Sequence, residues 1–489
     1  MVAPHDGGHT VEKIGGTSIA DTAAVLRNVF IGRRTGADLY NRIFVVSAYA
    51  GITDRLIESK STGEPGVYSL FAGSRSEWRW CEAIADVGAE MLGINREILG
   101  DHADRGIADD FIVERIEGVR SCLLDLYRLC TSGHFRLDEH LTAVREMLSA
   151  LGEAHSARNT TLLLRQHGVN ATFVDLTGWR DGKQLRLEER IEEAFANIDP
   201  SKQLPIVTGY ARCRDGLLRR FDRGYSEVTF SRIAVLTGAK EAIIHKEFHL
   251  SSADPKIVGV DHVRTIGRTN YDVADQLSNM GLESVHPSAA KGLRQADIPL
   301  CVKNTFEPES AGTVIRGDYR SKTPRVEIVT GLRGVVALEF FEQDMVGVKG
   351  YDAAILEVLR RHKARIVSKT SNANTITHYL CGSMKAIKRV VADLAERYPA
   401  AQITTRKVAI VSAIGSDLKL PGLTAAAVSA LADAGIEVLG LQQPMRNVDV
   451  QFVLDEADFE RAIGALHREL VEKTDGLSDF PEPVADRAA

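Results

Sequence analysis

The chain has 489 residues, 44% hydrophobic and 26% charged, with 60 Lys and Arg against 66 Asp and Glu for a formal charge of −6. That is ordinary globular composition with room for roughly three domains, and the mildly acidic balance excludes a strongly basic nucleic-acid binder as the default reading. No apolar run approaches the roughly 20 residues that span a bilayer, and the start MVAPHDGGHTVEK has no basic region or apolar core of a secretory signal. The six cysteines (81, 122, 130, 213, 301 and 381) include no Cys-x-x-Cys pair, so free thiols in a reducing cytoplasm are expected.

In chain order, Thr10–Ile14 (TVEKI) predicts a strand and residues 15–18 a turn. From Asp21 onward, Leu26, Val29 and Phe30 recur at helical spacing. Residues 43–47 (IFVVS) predict a second buried strand, followed by a small-residue turn over 48–53. Strand, tight turn and helix, repeated, point to an α/β layer fold on a largely parallel sheet. Further apolar strands are expected at 171–174, 204–207 and 242–244, with helices over roughly 77–167. A mixed segment, 253–323, ends in loop residues 317–324, a candidate linker.

The last third contains a repeat at an offset of 72: Val336-Ala337-Leu338 recurs as Val408-Ala409-Ile410, Gly350 as Gly422, Ile366-Val367 as Val438-Leu439, and Ile376 as Val448. Each copy reads strand, Gly-containing loop, amphipathic helix, two strands, helix. The expected helices are 352–362 and 383–397 in one copy, 422–434 and 456–469 in the other. Several matches at one offset, in one structural order, indicate a duplicated βαββαβ unit of ferredoxin-like type. The polar, Pro-containing tail 474–489 is expected to be disordered.

The sharpest chemical signal is Lys13-Ile14-Gly15-Gly16-Thr17-Ser18. A lysine ends a buried strand and two glycines open a turn into a helix. Glycines let backbone N–H groups approach a phosphate, and a lysine offsets charge on a transferring phosphoryl group. The Gly-x-x-x-x-Gly-Lys-Ser/Thr order of a Walker A loop is absent. The same run would also suit a plain strand–turn–helix with a surface lysine. The second turn, 47–53 (SAYAGIT), again offers hydroxyls and a glycine where open parallel sheets bind ligands.

These segments together resemble the aspartokinases. Residues 13–18 match their first signature and 47–54 (SAYAGITD) their second. Gly152-Glu153, Phe173-Val174-Asp175, residues 253–258 (ADPKIV), Val285-His286-Pro287 and Asp297-Ile298-Pro299 follow in family order, and the duplication resembles their tandem ACT domains. The resemblance implies an amino-acid kinase fold, an α/β/α sandwich, over 1–323, and ACT regulatory domains at 324–400 and 401–473. It implies ATP-dependent phosphorylation of the L-aspartate β-carboxylate, with magnesium arriving on ATP and no protein metal site. Lys13 matches the phosphate-contacting catalytic lysine. Ser47, Thr53 and Glu153 match the aspartate-binding side, and Gly15, Gly16, Thr17, Arg220, Arg223, Gly224, Ser226 and Lys256 the nucleotide side. Glu153, outside the motif a solvated helix glutamate, could pair with the substrate α-ammonium.

The chain departs from the pattern at Tyr225 (for glycine), Glu227 (for aspartate), His245-Lys246 and Glu283. The arginine that binds the substrate α-carboxylate falls on Leu217, leaving Arg219 or Arg220 to supply the fork. Residues 245–256 and 371–380 resemble the aspartokinases associated with ectoine biosynthesis. Other readings are an inactive amino-acid sensor or a kinase for another amino acid. Loops 344–351, 368–375 and 415–422 read either as effector loops for threonine or lysine or as ordinary polar loops. A homodimer or higher homo-oligomer is expected, with no nucleic-acid or membrane partner.

Overall fold

The computed structural model describes residues 8–59, 62–73, 77–220, 224–282 and 285–473, apart from the side chains of Arg219 and Arg220. The tail 474–489 lies outside the described residues. In chain order the strands are β1 (Thr10–Ile14), β2 (Arg42–Val46), β3 (Ala171–Val174), β4 (Leu204–Thr208), β5 (Glu241–Lys246), β6 (Arg268–Asn270), β7 (Leu300–Asn304), β8 (Thr313–Arg316), β9 (Ile328–Phe341), β10 (Arg365–Ser371), β11 (Thr375–Cys381), β12 (Gln402–Ile414), β13 (Gly440–Gln442) and β14 (Asp449–Leu454).

The chain forms two compact units: residues 1–249 with 285–317, and residues 250–284 with 318–489. The packing therefore divides the chain differently from the single boundary at 323, because 250–284 groups with the C-terminal residues.

In the first unit β1 sits centrally, parallel to β2 and β5. The sheet continues through β4 and β3 on one side and β7 on the other, all parallel, and β8 pairs antiparallel with β7. β2 and β4 are buried along their whole length, as strands covered on both faces must be. The expected helical region is three long helices, Glu77–Leu99, Asp104–Thr131 and Leu141–Gln166. The last is buried on nearly every side from Leu148 to Leu164, which explains its lack of an amphipathic pattern.

In the second unit the duplication is visible as two helix–strand–strand–helix sets. Helix Tyr351–Arg361 and helix Leu423–Asp433 are 72 residues apart, each capped by a left-handed glycine, Gly350 (φ 104°) and Gly422 (φ 82°). The copies are not successive closed modules. β9 and β12 pair antiparallel along their lengths and both run through one sheet of order β10-β11-β9-β12-β14-β13. Residues 335–341 of β9 face 402–408, the register then shifts, and 328–332 face 410–414. The start of β9 thus completes the second copy and the start of β12 completes the first. Leu338, Phe340, Ile355, Leu359, Val390 and Leu394 form the core of one copy, and Val411, Phe452, Leu431, Ile463 and Leu466 that of the other. Each such buried side chain contributes about 1.5–3 kcal/mol of transfer free energy.

Candidate active site

Lys13 stands one residue from the end of β1. Its Nζ lies 3.3 Å from Glu227 Oε1, with both side chains largely buried. Glu227 is in the first turn of helix Tyr225–Thr237, whose cap is Gly224 at φ 73°. A Cβ at Gly224 would collide with the His286 ring at Cδ2, so both conformation and space require glycine there. Glu227 also accepts the His286 backbone N–H. Burial works to raise the Glu227 carboxyl, but the charges of Lys13 and Lys246 and the His286 amide outweigh it and hold the group below its ordinary value. The longer acid at this position is therefore used: it reaches the lysine and anchors the 285–287 segment.

The two turns expected to form the site are in contact. Ser47 donates its backbone N–H to Ile14 O at 3.2 Å. A Cβ on Gly16 would lie 2.5 Å from Ala48 O, a clash with backbone that no rotamer relieves. A Cβ on Gly15 would meet nothing closer than 3.8 Å. A side chain there would thus make only ordinary contacts, with His245 O and Glu247 Oε1, so neighbouring packing does not demand glycine at 15, and its bare backbone suits close approach of a phosphate. The helix opened by Gly16 is only the five residues Gly16–Ala20. Thr17 on it is exposed, and buried Ser18 donates to Glu247 Oε1 at 2.9 Å.

Gly51, at φ 84°, caps helix Ile52–Leu56, which carries half-buried Thr53. Helix Leu141–Gln166 seats Gly152 on the same turn, where a Cβ would lie 2.9 Å from Ala48 Cβ. The next residue, Glu153, is 2% exposed. Its Oε1 accepts from Ser226 Oγ at 2.7 Å, while Oε2 is buried without a hydrogen-bond partner. Burial pushes this carboxyl up to about 8, against the pull of Ser226, Lys13 and the Tyr210 amide. Glu153 is thus not a solvated helix glutamate. It is an acid held half-satisfied near the Lys13 charge, and a buried acceptor in that state favours a donor or cation from a ligand.

Gly209, at the end of β4, is a site residue that sequence reasoning missed. A Cβ there would lie 2.8 Å from both Glu153 Oε2 and Ser226 Cβ. Its only trace in the sequence is a glycine directly after a buried strand. Ser226, expected on the nucleotide side, donates to Glu153, the residue expected on the aspartate side. Tyr225, the residue that replaces a glycine, packs edge-on to Tyr210 with ring centroids 5.7 Å apart. Burial, followed by the Glu153 charge, keeps its phenol well above the ordinary range.

The opposite face of β1 carries a buried ionic cluster. Glu12 receives Arg42 Nε at 2.8 Å and His245 Nε2 lies 2.7 Å away. Arg42 also donates to the carbonyls of Phe30 and Val29. Burial opposes the Glu12 charge, but Arg42 and His245 hold its carboxyl well below the ordinary value. The histidine that departs from the family pattern is accounted for by this strand-to-strand pairing.

Of the remaining predicted residues, Leu217 is 2% exposed, consistent with packing and not with carboxylate binding. Arg223 and Glu283, and the side chains of Arg219 and Arg220, lie outside the described residues. Lys256 is an exposed residue of the second unit, on helix Pro255–Val258. Among the described residues no group of three or more His, Cys, Asp or Glu side chains converges as a metal site, and no helix is long and apolar enough to cross a membrane.

Residues 9–304 match the amino acid kinase family and residues 401–468 match the ACT domain. The chain is 54% identical to the aspartate kinase Ask_Ect of Stutzerimonas stutzeri over 95% of its own length and 98% of that protein. It is 22% identical to the aspartokinase of Saccharomyces cerevisiae, covering 86% of this chain and 87% of that protein. The fold matches E. coli aspartokinase III in complex with aspartate and ADP, with a TM-score of 0.71 at 19% identity over 94% of this chain and 99% of that one. The same enzyme in its T-state, in complex with lysine and aspartate, matches with a TM-score of 0.70 at 19% identity, over 95% of this chain and 99% of that one. With nearly full-length cover at 54% identity, the chain belongs to the aspartate kinase family.

Proposed function

We propose that this protein transfers the γ-phosphoryl group of ATP to the β-carboxylate of L-aspartate, giving 4-phospho-L-aspartate and ADP. One observation supports the reading most directly. The two signature turns meet at Gly16 and Ala48, while Glu153, with one oxygen unpartnered, feels the charge of Lys13. A β-carboxylate is already ionised at neutral pH, so the reaction needs no general base. A carboxylate oxygen attacks the γ-phosphorus, the bond from phosphorus to the ADP oxygen breaks, and ADP leaves with the electron pair. What remains for the protein to supply is positioning and charge stabilisation.

Lys13, kept buried and paired with Glu227, is suited to neutralise the transferring group. The bare backbone of Gly15, together with Gly16, Thr17 and Gly224, suits the phosphates. Ser47, Thr53 and Glu153 are assigned to aspartate, Glu153 as counter-ion of the α-ammonium with Ser226 holding it. Arg219 or Arg220 is assigned to the α-carboxylate, and Arg223 and Lys256 to the nucleotide. Magnesium fits as an ion carried by ATP phosphate oxygens and water.

The catalytic segment is assigned to 1–323 and the two ACT copies to 324–400 and 401–473. Threonine or lysine is the proposed effector class for these copies. A homodimer or higher assembly in the cytoplasm, supplying aspartate-family amino-acid or ectoine synthesis, completes the reading.

A hydroxylamine trap tests the activity, because an acyl phosphate yields a hydroxamate. Purified protein with ATP, magnesium and aspartate should give aspartyl hydroxamate, with far less signal from glutamate. No hydroxamate from aspartate would refute the reading, and equal signal from glutamate would refute the substrate assignment.

A further inference from the structure

A cavity lies in the kinase unit beside the residues assigned to aspartate and ATP. Its volume is about 650 Å³, within the roughly 300–1,000 Å³ of small-molecule sites. It is bounded by the loops that follow β3 and β4 and by helices Asp104–Thr131 and Leu141–Gln166. Loops at the carboxyl ends of parallel strands are where open α/β sheets take ligands. None of Lys13, Ser47, Thr53, Glu153 or Ser226 lines it.

Three side chains on its wall keep hydrogen-bonding capacity. Trp179 Nε1 is buried with no partner. The ring is held in place: a Cβ on Gly118 would lie 2.7 Å from its Cζ2, and the Arg115 guanidinium stands 5.2 Å from its centroid. Tyr210 is 1% exposed, and its phenol is held above the ordinary range by burial, with Glu146 and Cys213 reinforcing the effect and Arg212 opposing it. Among the described residues its hydroxyl has no hydrogen-bond partner. Arg212 spends Nη1 on the carbonyls of Gly178 and Asp181, at 3.2 and 2.6 Å. No described carboxylate lies within ion-pair distance of it. The neighbouring buried arginines differ: Arg115 pairs with Asp175 and Arg190 with Asp181. Glu146, the acid on the wall, already accepts the Leu218 amide. Ala143, Met147, Ala150 and Leu151 supply an apolar floor.

A buried N–H without an acceptor costs about 1–3 kcal/mol, and an unpaired guanidinium in a walled cavity attracts a planar anion. We infer that this cavity is a binding site for a small organic carboxylate, its carboxylate group taken by Arg212 with Tyr210 and Trp179, its hydrocarbon body lying on Met147 and Leu151. A carboxylate offers the acceptors these donors lack, and the apolar floor favours an organic ligand over an inorganic anion.

The probes are succinate and phenylacetate, titrated into the full chain at constant ionic strength with saturating aspartate to fill the catalytic site. Binding is read by calorimetry and by tryptophan fluorescence. At least one probe should bind saturably, and Arg212→Gln should weaken it at least tenfold. Trp179→Phe should abolish the fluorescence change. Should Arg212→Gln fail to fold, Tyr210→Phe should still weaken binding at least threefold. The inference is overturned by no saturable binding of either probe, by unchanged affinity in the variants, or by sulfate competing as well as the organic probes.

Discussion

Replacing Glu153 with glutamine separates the fold's interest in that residue from the reaction's. In the unfolded chain the carboxyl ionises near its ordinary value of 4.5, whereas burial raises it to about 8 in the fold. Between those values the native state keeps a proton that the unfolded chain has released, so stability falls as pH rises. Each pH unit in that window costs about 1.4 kcal/mol, so the penalty reaches about 3 kcal/mol at pH 7 and levels off near 5 kcal/mol above pH 8. Glutamine cannot ionise, and its oxygen can still accept from Ser226. Urea unfolding of the ligand-free protein should therefore show the advantage of Glu153→Gln growing from pH 5.5 to 8 and then flattening. Any constant offset from placing an amide near the Tyr210 N–H leaves that slope intact. Aspartate binding should move the other way, with its KM rising at least tenfold and the ATP KM less than twofold. Parallel unfolding profiles for the two proteins across this pH range would refute the reasoning, as would equal effects on both KM values.

Three further substitutions probe the rest of the site. Lys13→Ala should abolish hydroxamate formation while circular dichroism stays native, and normal turnover would remove Lys13 from the mechanism. Gly16→Ala places a Cβ 2.5 Å from Ala48 O, so it should destabilise the kinase unit by about 1–3 kcal/mol and raise both substrate KM values; a thermal unfolding midpoint equal to wild type would contradict the contact. Arg42→Met strands Glu12 and His245 in the interior and should cost about 3–5 kcal/mol, with the Glu12→Gln, Arg42→Met double variant recovering part of it; a loss below about 1 kcal/mol in urea unfolding would show that the cluster relaxes without its cation.

The site was legible in the sequence only where its signals are local. Lys13, the glycine pair and the 47–53 turn are strand–turn–helix signals only a few residues long, so the chain displays them directly. Glu153 was visible only through its motif, because its neighbours on helix Leu141–Gln166 have no amphipathic period to mark the burial. Its bond to Ser226 spans 73 residues and the Lys13 pair with Glu227 spans 214; no local pattern encodes either. Gly209 was missed because its constraint is a three-body contact with Glu153 and Ser226. The departures Glu227 and His245 show in the sequence only as differences from the family pattern, yet each has a charged partner in the fold.

The sequence by itself determined the layer class, the strand–turn–helix units, the duplication at offset 72 and the family, because each is written in short segments or in their order. Tertiary structure alone decided that 250–284 packs with the C-terminal unit, and that β9 and β12 each serve both copies of the duplication. It also decided that Ser226 holds Glu153. The reason is common to all three: strand register and long-range side-chain pairing are chosen by what a folded partner buries, and that partner lies far away along the chain.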